Sequence, residues 1–204
     1  MMGKTHSAVG VASALAVNMI LSKGEPSVLG IVSAVAVGSI GALLPDIDVS
    51  RSKSHNKVEK IITALIVTII GLGAIDWLFS VGLLNKIMRV SSQYSAISGL
   101  LLLIGICGFG MRTKHRTFMH SLLGLFLTSV CVYMIAPFFV PYFVAGFLSH
   151  VGIDLLNRRH VHMLYPIHGK GICFGCCGSN GTVNRVLGLS GTALSILLIV
   201  VHIL

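Results

Sequence analysis

Long stretches without a charged side chain constrain the fold of this chain more than any other feature of its sequence. An α-helix needs about 20 mainly apolar residues to cross the roughly 30 Å of hydrocarbon in a bilayer. Only 10% of the residues are charged, far below the roughly 25% typical of soluble domains. This composition excludes a disordered chain or a disulfide-stabilised secreted module and predicts an all-α, polytopic membrane protein. The stretches are Thr5–Ser22, Pro26–Pro45, Ile61–Ile75 (continuing past Asp76 to Asn85), Val90–Met111, Thr117–Ile153 and Val186–Leu204.

The fifth stretch is too long for one crossing, and it contains Pro137 and Pro141. Proline interrupts the hydrogen-bond ladder of a helix, so this pair predicts a tight reversal between two helices. The chain then has seven candidate crossings, of which the first and sixth are short and rich in Gly and Ser. We therefore expect a bundle of about six to seven membrane helices. One domain is expected over residues 1–204, with a loop over 157–185 that contains Cys, His and Gly, and a last helix over 186–204.

The basic residues are distributed unequally between the two ends of this bundle. Twelve of the fifteen Lys and Arg fall at the N-terminus or in the loops 46–60, 112–120 and 157–185, and three fall in the loops between. Lys and Arg are in excess in cytoplasmic loops of membrane proteins. The bias predicts a cytoplasmic N-terminus and gives the net charge of +9 a role in orientation and in attraction to anionic lipid headgroups. No nucleic acid is expected as a partner.

Most of the acids and histidines share that predicted cytoplasmic face. Eight of the nine His and four of the six acids lie in these loops or at the helix ends that lead to them. Ionisable groups at membrane depth are costly and indicate function by default. Topology alone therefore predicts that residues far apart in sequence form one polar cluster.

Three short patterns within this set are typical of metal ligands. Two carboxylates one residue apart follow an apolar helix. An imidazole and a carboxylate four residues apart lie on one face of a helix, as do the paired ligands of zinc helices. Two further imidazoles flank an arginine that is suited to contact an oxyanion. The patterns are Asp46-Ile-Asp48, His150-Val-Gly-Ile-Asp154 and His115-Arg116-Thr-Phe-Met-His120.

Taken in order with Tyr165-Pro166, these patterns resemble the YdjM-like family of membrane-bound proteins, which are predicted to be metal-dependent hydrolases. A more distant likeness is to the all-helical zinc phospholipase C fold. The resemblance implies a bacterial or archaeal inner membrane protein, with the bacterial inner membrane expected, and an intramembrane or interfacial metal site. An acid that relatives carry after a Gly-Ser pair has no counterpart after Gly178-Ser179. The metal ligands that the resemblance nominates are His6, Asp46, Asp48, His115, His120, His150 and Asp154.

These residues predict a hydrolase in which one or two divalent cations activate a water molecule, with zinc expected first and magnesium or manganese as alternatives. We expect Asp46 or Asp48 to act as a general base and Arg116 to stabilise negative charge. The expected substrate is a phosphoester of a lipid or of a lipid-linked molecule, which would reach the site by lateral diffusion.

Two other classes of function remain open at this level. One is a carrier of divalent cations or protons, whose ionisable groups would line a path, and the other is a non-catalytic membrane adaptor. Cys173, Cys176 and Cys177 raise the alternative of a separate zinc site. Ser121 is expected to cap a helix. Structural roles, in loops, at the membrane interface or in helix packing, are expected for the remaining residues of these types: His55, His160, His162, His168, His202, Asp76, Cys107 and Cys131.

Overall fold

Six α-helices make up most of the described part of the molecule. The computed structural model describes residues 3–23, 27–48, 82, 93–167, 169, 171–178 and 181–203. Short 3₁₀ helices cover Leu44–Asp48, Phe118–His120 and Pro137–Phe139. The α-helices are α1 (Gly3–Leu21), α2 (Val28–Leu43), α3 (Gln93–Gly110), α4 (Leu122–Ile135), α5 (Val140–Leu155) and α6 (Thr182–Ile203).

Among the described residues, three helical segments are long and apolar enough to cross a membrane: Val28–Asp48, Pro137–Leu155 and Thr182–His202. The apolar helices Tyr94–Gly110 and Leu122–Ile135 are shorter. Large apolar side chains on α3 and α6 point outward, which suits lipid better than water. Apart from residue 82, the predicted crossing over residues 61–85 lies outside the described residues.

The reversal predicted inside the fifth stretch is confirmed. Helix α4 ends at Ile135, the 3₁₀ turn Pro137–Phe139 follows, and α5 begins at Val140. Ser121 caps α4 as predicted, since its hydroxyl accepts a hydrogen bond from the Gly124 N–H at 3.0 Å. The start of α4 and the end of α5 therefore lie at the same end of the bundle.

Helices α1, α2 and α5 pack against one another through small residues. A Cβ atom added to Gly146 of α5 would overlap the carbonyl oxygen of Gly38 in α2. A Cβ atom on Gly10 of α1 would likewise overlap the side chain of Ala42. Small residues let membrane helices approach closely, so these contacts fix the three helices backbone against backbone.

Two further elements close the bundle around this core. Helix α6 packs on α1, where the Thr5 hydroxyl donates to the carbonyl oxygen of Asn184 at 3.3 Å. The segment after α5 folds back over the same end, because the N–H groups of Phe174 and Cys177 donate to the free carbonyls of Leu155 and Leu156 at 2.7 and 3.1 Å. This segment therefore supplies the C-terminal cap of α5.

Gly146→Ala tests the close packing of α2 and α5. We expect the free energy of unfolding to fall by about 1–3 kcal/mol, as in other over-packed cores, because the new methyl group overlaps the Gly38 backbone. The midpoint of thermal unfolding in detergent measures this effect. Gly105→Ala is the matched control, since nothing lies within 4 Å of a Cβ atom placed there. Equal losses of stability in the two variants would contradict the packing.

Candidate metal centre

Four segments of the chain bring the seven nominated side chains to one end of the bundle. They are the start of α1, the 3₁₀ turn after α2, the turn between α3 and α4, and the end of α5. On the three core helices, the small packing residues and the site residues are spaced at four-residue intervals, which places them on the same face of each helix. These series are Ala14, Gly10 and His6 on α1; Gly38, Ala42 and Asp46 on α2 and its turn; and Gly146, His150 and Asp154 on α5.

Two imidazole nitrogens face each other at the centre of the cluster. The Nε2 atoms of His120 and His150 are 3.3 Å apart, and both side chains are fully buried. Nitrogens bound to one tetrahedral zinc ion at about 2.0–2.1 Å lie roughly 3.3–3.4 Å from each other. The spacing of this pair therefore suits two ligands of one ion.

The backbone of α2 fixes the ring of His150. Its Nδ1 atom lies 2.6 Å from the carbonyl oxygen of Ala42. A carbonyl only accepts hydrogen bonds, so Nδ1 carries the proton and the neutral ring has its lone pair on Nε2. Orientation of a ligand histidine by a backbone carbonyl is a common feature of metal sites.

His6 lies against this ring and has no hydrogen-bond partner for either nitrogen among the described residues. Its imidazole stacks on that of His150 with ring centroids 3.8 Å apart, and its Nε2 atom is 3.6 Å from Oδ1 of Asp154. A buried polar atom without a partner costs about 1–3 kcal/mol. A cation between the His6 nitrogen and the Asp154 carboxylate would remove that cost, so these residues fit a metal ion.

Two carboxylates complete the central group. Oδ2 of Asp154 is 3.6 Å from Nε2 of His120 and 3.9 Å from Nε2 of His150. Oδ1 of Asp46 is 3.7 Å from Nε2 of His150. The Asp154 side chain is buried, whereas that of Asp46 is 22% exposed. The centre is therefore open to the outside on the side of Asp46.

Asp48 and His115 lie beside this centre. Asp48 is buried, and three nitrogens of the turn before α4 approach its carboxylate: Nδ1 of His115 at 2.6 Å, the N–H of Arg116 at 3.1 Å and Nδ1 of His120 at 3.3 Å. Both oxygens are thus engaged by one segment. A carboxylate in this position orients the ring of a ligand histidine and raises its basicity.

The two carboxylates that flank His120 also change its protonation. Burial disfavours a charged imidazole, but the carboxylates of Asp154 and Asp48 outweigh it and raise the pKa of His120 to about 9. In the absence of a cation, this ring holds a proton at neutral pH. A cation that binds Nε2 takes the place of that proton.

The side chains form three overlapping groups in which the ligand atoms lie within 4.8 Å of one another: His6, His150 and Asp154; Asp46, His120 and His150; and Asp48, His115 and His120. Imidazoles with carboxylates are the donor set of zinc sites. Among the described residues, no such group includes Cys173, Cys176 or Cys177. The predicted loop residues His55 and His168 and the predicted interface residue Asp76 lie outside the described part of the chain.

Arg116 is held inside the site rather than at its opening. The side chain is buried, one terminal nitrogen is 2.8 Å from Oδ2 of Asp154, and the other donates to the carbonyl oxygen of Arg159 at 2.8 Å. Its backbone has a φ of 66°, in the left-handed region that non-glycine residues rarely adopt.

Sequence patterns did not identify the carbonyls of Ala42 and Arg159 as parts of the site. Backbone acceptors have no residue signature, and their position depends on how the helices cross. For Ala42 the available signal was its place in the last turn of α2, just before Pro45, because the last carbonyls of a helix lack intrahelical donors.

His150→Ala tests the centre. We expect zinc affinity to fall by more than the roughly 10- to 100-fold that loss of an outer partner costs, because the variant removes the nitrogen that two of the ligand groups share. Calorimetric titration of purified protein with Zn²⁺ measures the change. His160→Ala alters an exposed imidazole at the same end and is the control. Wild-type affinity in the His150 variant would rule out this centre.

Comparison with known proteins agrees with the family resemblance of the motifs. No curated protein and no solved structure matches the chain significantly. The model of one protein family, described as the YdjM inner membrane protein, matches residues 1–203. Since this match covers nearly the whole sequence, the chain belongs to the YdjM inner membrane protein family.

Proposed function

We propose that this protein is a metal-dependent hydrolase that cleaves a phosphoester of a lipid or lipid-linked substrate at the membrane surface. Its family and its apolar helices make it an integral inner membrane protein. The observation that carries the proposal is the convergence of His6, His120, His150 and Asp154 beside the partly exposed Asp46. Such a cluster is costly to bury in a membrane protein, and its presence therefore indicates a function.

Zinc is the cation that this donor set favours, with magnesium and manganese as alternatives. When bound, a divalent cation lowers the pKa of a coordinated water and polarises a phosphoryl oxygen. The chain itself supplies the orientation of the ligands. The Ala42 carbonyl holds His150, and Asp48 holds the turn that carries His120.

Asp46 is suited to the proton transfers of hydrolysis. Its carboxylate is the only one of the cluster that is appreciably exposed within the described part of the site, so water and substrate can approach it. As general base, Asp46 takes a proton from the attacking water while the oxygen–phosphorus bond forms. The phosphorus–oxygen bond to the alcohol then breaks, and the proton passes to the leaving oxygen.

The charge around the site supports an anionic lipid as substrate. Six exposed basic residues lie at the end of the bundle that contains the cluster, and none of them pairs with a carboxylate among the described residues. Each basic residue near a membrane surface contributes about 1 kcal/mol of attraction to anionic lipid. These residues are Lys4, Arg112, Lys114, Arg158, Arg159 and Arg185.

The same residues support an orientation with the N-terminus and the site at the cytoplasmic side. Lys23, at the opposite end of α1, is the single described Lys or Arg away from this end. Such an asymmetry is typical of cytoplasmic ends of membrane proteins.

Hydrolysis of anionic phospholipid in mixed micelles tests the proposed reaction. We expect zinc-loaded protein to release the alcohol or headgroup, EDTA to abolish the reaction and added Zn²⁺ to restore it. Asp46→Asn is expected to lower kcat by about 10²- to 10⁴-fold, the usual contribution of a general base. Phosphorus NMR or mass spectrometry of the lipid products provides the measurement.

The exposed variant His160→Ala is the control for this assay and should keep wild-type activity. Activity that survives both EDTA and His150→Ala would exclude a reaction at this centre. Zinc-dependent uptake of metal into proteoliposomes, with no lipid product, would instead support the carrier.

Cys176 provides a native probe of orientation, because its side chain is exposed at the end of the bundle that carries the site. A membrane-impermeant maleimide should label it in inside-out vesicles and leave it unlabelled in intact spheroplasts. Cys176→Ser removes the labelled site and serves as the control. Labelling of Cys176 in spheroplasts would place this end of the bundle outside the cytoplasm.

A further inference from the structure

We infer that Arg116 is a positioning residue that holds the Asp154 carboxylate for metal binding, and that it does not contact the substrate. This inference rests on the proposed function of the cluster as a metal centre. It assigns the one buried arginine of the described chain to the construction of the site, although its position between two candidate ligands suggests contact with an oxyanion.

The guanidinium of Arg116 binds groups of the protein. One terminal nitrogen binds Oδ2 of Asp154 at 2.8 Å, and the other donates to the Arg159 carbonyl at 2.8 Å. The remaining nitrogen, Nε, is buried and has no hydrogen-bond partner among the described residues. A guanidinium that stabilises a substrate must direct free donors toward it. The two terminal nitrogens of Arg116 instead bind groups of the protein, and its unpartnered Nε is enclosed where no solvent reaches it.

The backbone of Arg116 is also held by hydrogen bonds within the site. Its N–H donates to Oδ2 of Asp48 at 3.1 Å, and its carbonyl accepts from the N–H of His162 at 2.9 Å. These bonds and the ion pair with Asp154 form at a residue whose φ is 66°, in the left-handed region. Backbone strain of this kind persists where the surroundings over-determine it, commonly at functional sites.

These contacts determine how Asp154 faces the cluster. With Oδ2 bound by Arg116, Oδ1 is directed toward Nε2 of His6 at 3.6 Å. The other nearby nitrogens, on His120 and His150, lie 3.6 and 3.9 Å from Oδ2. Arg116 thus fixes the carboxylate between the imidazoles. Lysine could keep the positive charge, but its single ammonium lacks the planar fork that binds Asp154 and the Arg159 carbonyl at once.

Zinc titration of three variants tests this inference in the full-length protein. We expect Arg116→Lys and Arg116→Gln each to weaken Zn²⁺ binding by about 10- to 100-fold, as loss of an outer partner of a metal ligand does. Arg112→Gln removes an exposed charge four residues earlier in the same turn and should bind zinc like the wild type. The absorption spectrum of bound Co²⁺ should change in the Arg116 variants only.

A double-mutant cycle with Asp154→Asn tests whether Arg116 affects zinc binding through Asp154. If Arg116 acts through Asp154, Arg116→Lys should weaken zinc binding much less in the Asp154→Asn background than in the wild type. Should Arg116→Gln fail to fold, Arg116→Lys, which keeps the charge, carries the test. Thermal unfolding of each variant identifies such a failure.

Two results would overturn the inference. One is wild-type zinc affinity in both Arg116 variants with a raised KM for an anionic lipid, which would make Arg116 a substrate contact. The other is full rescue of zinc affinity by lysine, which would reduce its role to charge alone. Zinc binding is measured without substrate, so it does not depend on the proposed reaction. If the variants show the expected zinc affinities but the protein hydrolyses no lipid, the proposed reaction is wrong and the role of Arg116 stands.

Discussion

The close approach of α1, α2 and α5 is the constraint on which the rest of this structure depends. Where Gly146 meets Gly38, no side chain separates the two backbones. One turn further along, that proximity lets His150 reach the carbonyl of Ala42 at 2.6 Å. A bulkier interface would move α5 outward and break this bond. The glycines thus set the distance between the candidate metal ligands on separate helices.

Buried charge is the second constraint, and the three acids of the site meet it in different ways. Asp154 has the guanidinium of Arg116, and Asp48 has three nitrogens from a single turn. Asp46 stays partly exposed. A buried carboxylate without a partner costs far more than a paired one, so this gradation separates two acids that protein groups hold in place, one of them the candidate ligand Asp154, from one that water can reach.

Spacing and topology were sufficient to predict much of the architecture, including the reversal at Pro137, the cap at Ser121 and one shared face for the acids and histidines. They could not separate the roles of the nominated residues. Asp46 and Asp48 look equivalent in sequence, but one turn of 3₁₀ helix directs Asp48 into the donors before α4. Arg116 likewise looked free for a substrate, because its left-handed backbone and the carbonyl it binds depend on tertiary packing.

The order of the ligands along the chain has a consequence for biogenesis. His6 is synthesised first, whereas Asp154 lies at the end of α5, and the segment that caps that helix follows it. An inserting chain therefore holds isolated histidines and acids until α5 has docked beside α2. A cation that needs ligands from all of these segments could bind only after that docking, so metal loading of the proposed centre would distinguish fully inserted molecules from membrane intermediates.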